Sequence, residues 1–141
     1  MTSVEKALRE NGVYVGKTKG DSMLPVLKEG RDTVVVVKPD FPLKKYDVPL
    51  YRRDDHLTMH RVIKVTKTGY IICGDNRITL EKDITDSDIV GVLKGFYQDG
   101  KYVDTSDNEY MSYSKRICAL RYLRIIKHYI NIVLIKMNIK K

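Results

Sequence analysis

Four features of this 141-residue chain carry residue types that could do chemistry. Ser22 follows a Gly-Asp pair, and His60 lies in a predicted strand. A Gly-Asp-Asn motif occupies 74–76, and an acidic stretch occupies 81–88. A serine is a weak nucleophile that needs a base within hydrogen-bond reach. Histidine suits that role because its unperturbed pKa lies near neutrality, and a carboxylate can orient its ring. These residue types together indicate acyl transfer at a serine.

His60 is the histidine best placed for this role. His128 falls in the C-terminal tail and His56 in a charged loop, whereas His60 stands among apolar residues of the predicted strand. Each feature alone also has an ordinary structural explanation. A serine before Met-Leu-Pro is commonly a turn or cap residue, a single strand histidine is commonly structural, and Gly-Asp-Asn is a turn signal. The inference of an activated serine therefore depends on the order of these features along the chain.

Short strands would have to position these residues. A helix is predicted over 2–10, ending at an Asn-Gly pair. Apolar and β-branched patterns then predict strands over 33–38, 47–53, 57–67, 70–74 and 89–97. The continuous valines of the first strand predict burial on both faces. Pro49 predicts an edge or bulged strand, and Thr68-Gly69 predicts a hairpin. The expected fold class is mainly β, with an antiparallel body.

The excess positive charge of the chain is confined to its C-terminal tail. Residues 1–114 contain equal numbers of basic and acidic residues, whereas 115–141 contain eight Lys or Arg and no acid. Apolar and basic residues gather on opposite sides of a helical wheel, which predicts a basic amphipathic helix from near Lys115. Cations recur too often for a spanning segment. The helix would lie on a membrane surface, dock on a partner or pack on its own domain.

Composition argues against several other classes of protein. The tail lacks the interleaved Gly and aromatic residues of single-strand nucleic-acid binders, and the rest of the chain has no net charge. Cys73 and Cys118 match no metal-ligand spacing, which predicts reduced cysteines that pack in the interior. The N-terminus has no apolar run, so neither a signal peptide nor an anchor is predicted there. The expected location is cytoplasmic, or peripheral on the cytoplasmic face of the membrane.

The motifs, taken in order, resemble a known family. "GDSMLP" at 20–25, "YDVPLYRR" at 46–53, "MHRVIKV" at 59–65 and "GDN" at 74–76 look like the successive boxes of the LexA/signal-peptidase superfamily of serine peptidases. The chain is similar in particular to the small S24/S26 signal-peptidase-like proteins of bacteria. The resemblance covers roughly 18–97, and it implies a signal-peptidase/LexA-like fold.

The resemblance implies a role for individual residues. Ser22 matches the nucleophile of the family. His60 falls where LexA and most bacterial signal peptidases carry a general-base lysine. Archaeal and endoplasmic-reticulum-type enzymes have histidine there, followed by an arginine such as Arg61. Asp75 matches an aspartate near the base and is the candidate third catalytic residue, with Asp83 as the alternative.

The resemblance also implies domains and partners. Residues 1–114 would form the catalytic domain, with its core over about 18–104, and 115–141 would form the basic helix. The substrate would be an extended peptide or protein precursor with small side chains near the cut, and no metal or organic cofactor is implied. Gly20 stands where many bacterial signal peptidases have a serine that helps to stabilise the oxyanion, so the Ser22 N–H would need another donor. The alternative function is a non-catalytic module that binds a peptide or a membrane surface with the same fold.

Overall fold

The computed structural model describes residues 1–139. The body consists of short antiparallel strands between two helices. The helices are α1 (Ser3–Asn11) and α2 (Asn108–Ile139), and a 3-10 turn spans Asp86–Asp88. The strands are β1 (Val13–Lys17), β2 (Thr33–Val37), β3 (Pro49–Arg53), β4 (His56–Met59), β5 (Arg61–Val65), β6 (Tyr70–Cys73), β7 (Glu81–Ile84), β8 (Ile89–Gln98) and β9 (Lys101–Asp104). The predicted fold class, mainly antiparallel β with a C-terminal helix, is confirmed at this level.

The larger sheet has six strands in the order β1-β2-β8-β3-β4, with β9 also paired to β8. Strand β3 is paired on both sides, so the prediction of an edge strand is wrong. The alternative of a bulge is confirmed, since the register against β8 shifts between Leu50 and Tyr51. Pro49 is the first residue of β3, where proline is tolerated in a paired strand. In β2 only Val34 and Val36 are fully buried, so one face of that strand is partly exposed.

The smaller sheet consists of β5, β6 and β7. The predicted hairpin between β5 and β6 is confirmed, with the Thr66 N–H donating to the Gly69 carbonyl at 2.8 Å. The single strand predicted over 57–67 is wrong. It divides at His60 into β4 of the larger sheet and β5 of the smaller one. His60 therefore lies at the point where the chain crosses between the two sheets.

Two apolar clusters hold these layers together. One packs α1 and the 20–27 turn against the larger sheet and contains Leu8, Met23, Leu27, Val34, Val36, Val48, Leu50, Leu93, Phe96 and Tyr110. The other joins the two sheets and contains Leu43, Tyr51, Val62, Tyr70, Ile72, Ile84 and Ile89. Burial of such side chains is the main stabilising contribution in a domain of this size.

Helix α2 begins at Asn108, earlier than the start expected near Lys115. Its first part packs on the body, because Tyr110, Ser114, Cys118 and Arg121 are buried. From Tyr122 onward its large apolar side chains are mostly exposed. Within the described residues, no helix combines the length and apolar character needed to cross a membrane.

Candidate active site

Ser22 lies in a turn between β1 and β2. The turn is closed by the Leu24 N–H, which donates to the Asp21 carbonyl at 3.2 Å, and by the Leu27 N–H, which donates to the Met23 carbonyl at 3.0 Å. Met23 and Leu27 are buried in the core beneath it, while Ser22 itself is partly exposed. The apolar neighbour of Ser22 thus fixes the turn to the core and leaves the serine at the surface.

The Gly-Asp-Asn loop holds this turn from the other side. The Asn76 N–H donates to the Ser22 carbonyl at 2.8 Å, and the Asn76 side-chain amide donates to the Asp21 carbonyl at 3.1 Å. Arg77 forms an ion pair with Asp21, with 2.5 Å between Nη2 and Oδ1. The loop and the turn are far apart in sequence, and these bonds fix their relative position.

Gly74 contacts both the Ser22 turn and His60. A Cβ built on Gly74 would lie 2.7 Å from the Ser22 carbonyl oxygen and 3.1 Å from Cδ2 of His60. The first distance is too short for a carbon next to a backbone oxygen, so only glycine fits there. Glycine thus lets the loop pass between the Ser22 turn and His60, whose side chains share no hydrogen bond among the described residues.

His60 is oriented by two side chains. Its Nδ1 lies 2.9 Å from the Tyr51 hydroxyl and 3.2 Å from Oε1 of Glu81. The Tyr51 hydroxyl donates its single proton to Oε2 of Glu81 at 2.8 Å. Because an ionised carboxylate only accepts, Nδ1 must carry the proton and donate to Glu81. This tautomer leaves Nε2 of His60 with a free lone pair, as a general base requires.

The environment keeps His60 neutral near pH 7. Burial lowers the pKa of His60 below its ordinary value of 6.5, and the Glu81 carboxylate opposes part of that effect. Burial and the adjacent Glu81 raise the pKa of Tyr51, so the phenol stays protonated and can donate. The side chains of His60 and Glu81 are 13% and 17% exposed, so the pair reaches solvent.

Asp75, the predicted third catalytic residue, makes its side-chain hydrogen bonds elsewhere. Its two carboxylate oxygens accept from Nε and Nη2 of Arg61, both at 2.8 Å, and one also accepts from the Tyr113 hydroxyl at 2.9 Å. Asp83, the alternative, is exposed on β7. The carboxylate that contacts His60 belongs to Glu81, two residues before Asp83 on the same strand.

Sequence reasoning therefore missed Glu81 and Tyr51. Glu81 opens the acidic stretch that the sequence singled out, and Tyr51 lies within the "YDVPLYRR" motif. Their contact with His60 depends on how β3 and β7 meet at the junction of the two sheets, and no local sequence signal reports that.

A groove of about 760 Å³ runs from Ser22 across the larger sheet. Its apolar lining includes Tyr14, Val34, Val36, Leu50, Leu57 and Met59. Strand β4 is the last strand of that sheet and lines the groove. Its outer backbone edge pairs with no strand among the described residues. The groove can receive an extended chain with apolar side chains close to the serine.

No metal-binding arrangement is evident in the described part of the chain, where His, Cys, Asp and Glu form no group of three placed to hold an ion. A scan of the chain against protein-family models gives no match. A search of curated proteins gives no significant match.

Proposed function

We propose that the protein is a serine endopeptidase of the signal-peptidase/LexA-like type. Ser22 is the nucleophile, His60 the general base and Glu81 the carboxylate that orients His60. The observation that carries the proposal is the hydrogen bond between Nδ1 of His60 and Glu81, on a histidine packed against the Ser22 turn at Gly74. A binding module does not need an imidazole that a carboxylate orients in this way.

The proposed reaction proceeds in two steps. Ser22 Oγ attacks the carbonyl carbon of the peptide while Nε2 of His60 takes its proton. The imidazolium then gives that proton to the leaving amine, and an acyl-enzyme remains. Water then attacks the acyl carbon while Nε2 of His60 takes its proton. That proton returns to Ser22 Oγ as the carboxylic acid is released. Glu81 stabilises the imidazolium in both steps, because it accepts from the Nδ1–H.

The oxyanion would be stabilised by backbone donors at the turn. The Ser22 N–H has no acceptor among residues 1–139 and could donate to the developing charge. Gly20 offers no side-chain donor there, and its own N–H is bonded to Glu29 at 3.0 Å. In this respect the turn resembles the LexA side of the superfamily.

The substrate would be an extended peptide that adds to the outer edge of β4. Main-chain hydrogen bonds to that edge would supply affinity, and the apolar groove would select alternate side chains. Small residues at the cut are implied by the family resemblance.

The test is labelling with a small serine-reactive phosphonate, followed by location of the adduct by mass spectrometry. We expect an adduct on Ser22 that is lost in His60→Ala. Ser112→Ala and His128→Ala are matched controls on exposed positions of α2 and should label as the unsubstituted chain does.

Hydrolysis of a peptide with small residues around its centre is the second measurement. We expect cleavage that requires Ser22 and His60. Folded protein that neither labels nor cleaves would instead support the non-catalytic peptide-binding alternative.

A further inference from the structure

The C-terminal part of α2 carries a large apolar surface that no other described part of the chain covers. Nine large apolar side chains between 122 and 137 are each 52–63% exposed. They are Tyr122, Leu123, Ile126, Tyr129, Ile130, Val133, Leu134, Ile135 and Met137. A continuous exposed patch of this kind marks an interaction site in a soluble domain. We call residues 122–138 the tail segment.

The tail segment is amphipathic, with a narrow polar stripe. Arg124, Lys127, His128 and Asn131 follow at helical spacings of three and four and so lie on one side. Most of the apolar side chains occupy the wider remaining surface. Lys136 lies at the margin of that surface, where a long side chain can extend its charge to water.

The tail segment is fixed to the body at one end. Ser114 Oγ accepts from Nη1 of Arg61 at 2.7 Å, and Nη1 of Arg124 donates to the Asp75 carbonyl at 2.6 Å. Beyond Arg124 the helix extends for about 22 Å to Ile139, at about 1.5 Å per residue. The body therefore presents the apolar surface at a defined place and does not cover it.

Charge decides which occupant fits. The tail segment carries Arg124, Lys127 and Lys136 and no acid, so pairing of two tail segments would bring like charges together with no acid to offset them. A nucleic acid would match the charge and leave the apolar surface exposed. An anionic lipid surface matches both, because acyl chains cover the apolar side chains and headgroups attract the cations. We propose that the tail segment lies in the plane of an anionic lipid surface and docks the protein there.

The test is sedimentation of the full chain with lipid vesicles. One vesicle is phosphatidylcholine alone, and the other contains phosphatidylcholine and phosphatidylglycerol in roughly equal parts. We expect binding to the mixed vesicle that high salt weakens without abolishing, because an apolar contribution remains. Binding to phosphatidylcholine alone should be weaker.

Paired variants of unchanged formal charge separate the two faces. Ile130→Gln with Val133→Gln changes the apolar face, and we expect vesicle binding about tenfold weaker or more. His128→Gln with Asn131→Gln changes the polar stripe next to it and should bind as the unsubstituted chain does. Circular dichroism and thermal unfolding establish that both variants remain folded.

Three results would overturn the proposal. The first is no sedimentation with either vesicle. The second is equal loss in both paired variants. The third is a lipid-free dimer that Ile130→Gln with Val133→Gln dissociates, which assigns the surface to a second copy of the chain. None of these depends on peptidase activity, so this proposal and the proposed function can fail separately.

Discussion

His60 and Arg61 are neighbours in sequence, yet they enter two different polar clusters. His60 meets Glu81 and Tyr51 where the side chains reach solvent, whereas Arg61 meets Asp75 and is 0% exposed. Burial would lower the pKa of Arg61, but its hydrogen bonds with Asp75 raise it, so the guanidinium stays charged. His60 can therefore exchange a proton, whereas Arg61 cannot. The comparison separates the residues suited to chemistry from those that hold the site together.

The two clusters should respond differently to loss of their central residue. His60→Ala removes the proposed base, so we expect kcat/KM for peptide hydrolysis to fall about 10⁶-fold. The free energy of unfolding, measured in urea, should change by about 1 kcal/mol or less, since His60 is not a core residue. If His60→Ala kept full activity, the assignment of His60 as the general base would be wrong.

Arg61→Met tests the buried cluster. It leaves Asp75 without its cationic partner in the interior, and we expect a loss of about 3–5 kcal/mol in the free energy of unfolding. Arg52→Met is the matched control, because Arg52 pairs with Glu5 on the surface. It should cost about 1 kcal/mol or less. Equal losses in the two variants would contradict a structural role for the Arg61–Asp75 pair.

Glu81→Gln tests the role of the carboxylate that contacts His60. The carboxylate raises the pKa of His60 and fixes its tautomer, so its loss should lower kcat by about 10⁴-fold. The proposed activity requires neutral His60, so the acid limb of kcat/KM should lie below pH 6.5 in the unsubstituted chain.

The direction in which Glu81→Gln shifts the pH profile follows from the contact between Glu81 and His60. Without the carboxylate the pKa of His60 falls further, so the acid limb should move to lower pH. Asp83→Asn, an exposed change on the same strand, should leave the rate and the profile unchanged. If Asp83→Asn shifted the profile and Glu81→Gln did not, the assignment of the carboxylate would be reversed.

Tyr51→Phe should give the smallest effect. It removes one hydrogen bond to Glu81 and leaves the carboxylate on His60, so we expect kcat to fall about tenfold or less. Tyr70→Phe removes a comparable hydroxyl that bonds Asp86 away from the site. It should affect the free energy of unfolding and leave kcat unchanged. A similar loss of kcat in both variants would remove Tyr51 from the proposed site.

The fold was predictable where one local rule decides the outcome. The Asn-Gly pair ended α1, with Gly12 in the left-handed region at φ 75°, and Thr68-Gly69 closed the β5–β6 hairpin. Strand β7 escaped prediction because three of its four residues are charged. The break at His60 escaped because apolar alternation continues on both sides of it, while the chain changes sheet.

The motifs led to the proposed nucleophile and base, whereas they gave no sign of the carboxylate that contacts His60. The family resemblance favoured Asp75, which precedes Asn76, the residue that holds the Ser22 turn. Its side chain instead faces Arg61, since the alternation that turns His60 toward Glu81 turns the next residue the other way. The partner of each acid is thus set by strand direction at the sheet junction and not by the spacing of motifs.

The hydrogen bond from Arg124 to the Asp75 carbonyl has a thermodynamic consequence. The next residue of that loop, Asn76, bonds the Ser22 carbonyl, so one short loop connects the tail segment to the Ser22 turn. Any factor by which lipid contact changes the affinity for the proposed substrate must equal the factor by which bound substrate changes the affinity for lipid. Substrate and surface would then act as reciprocal effectors.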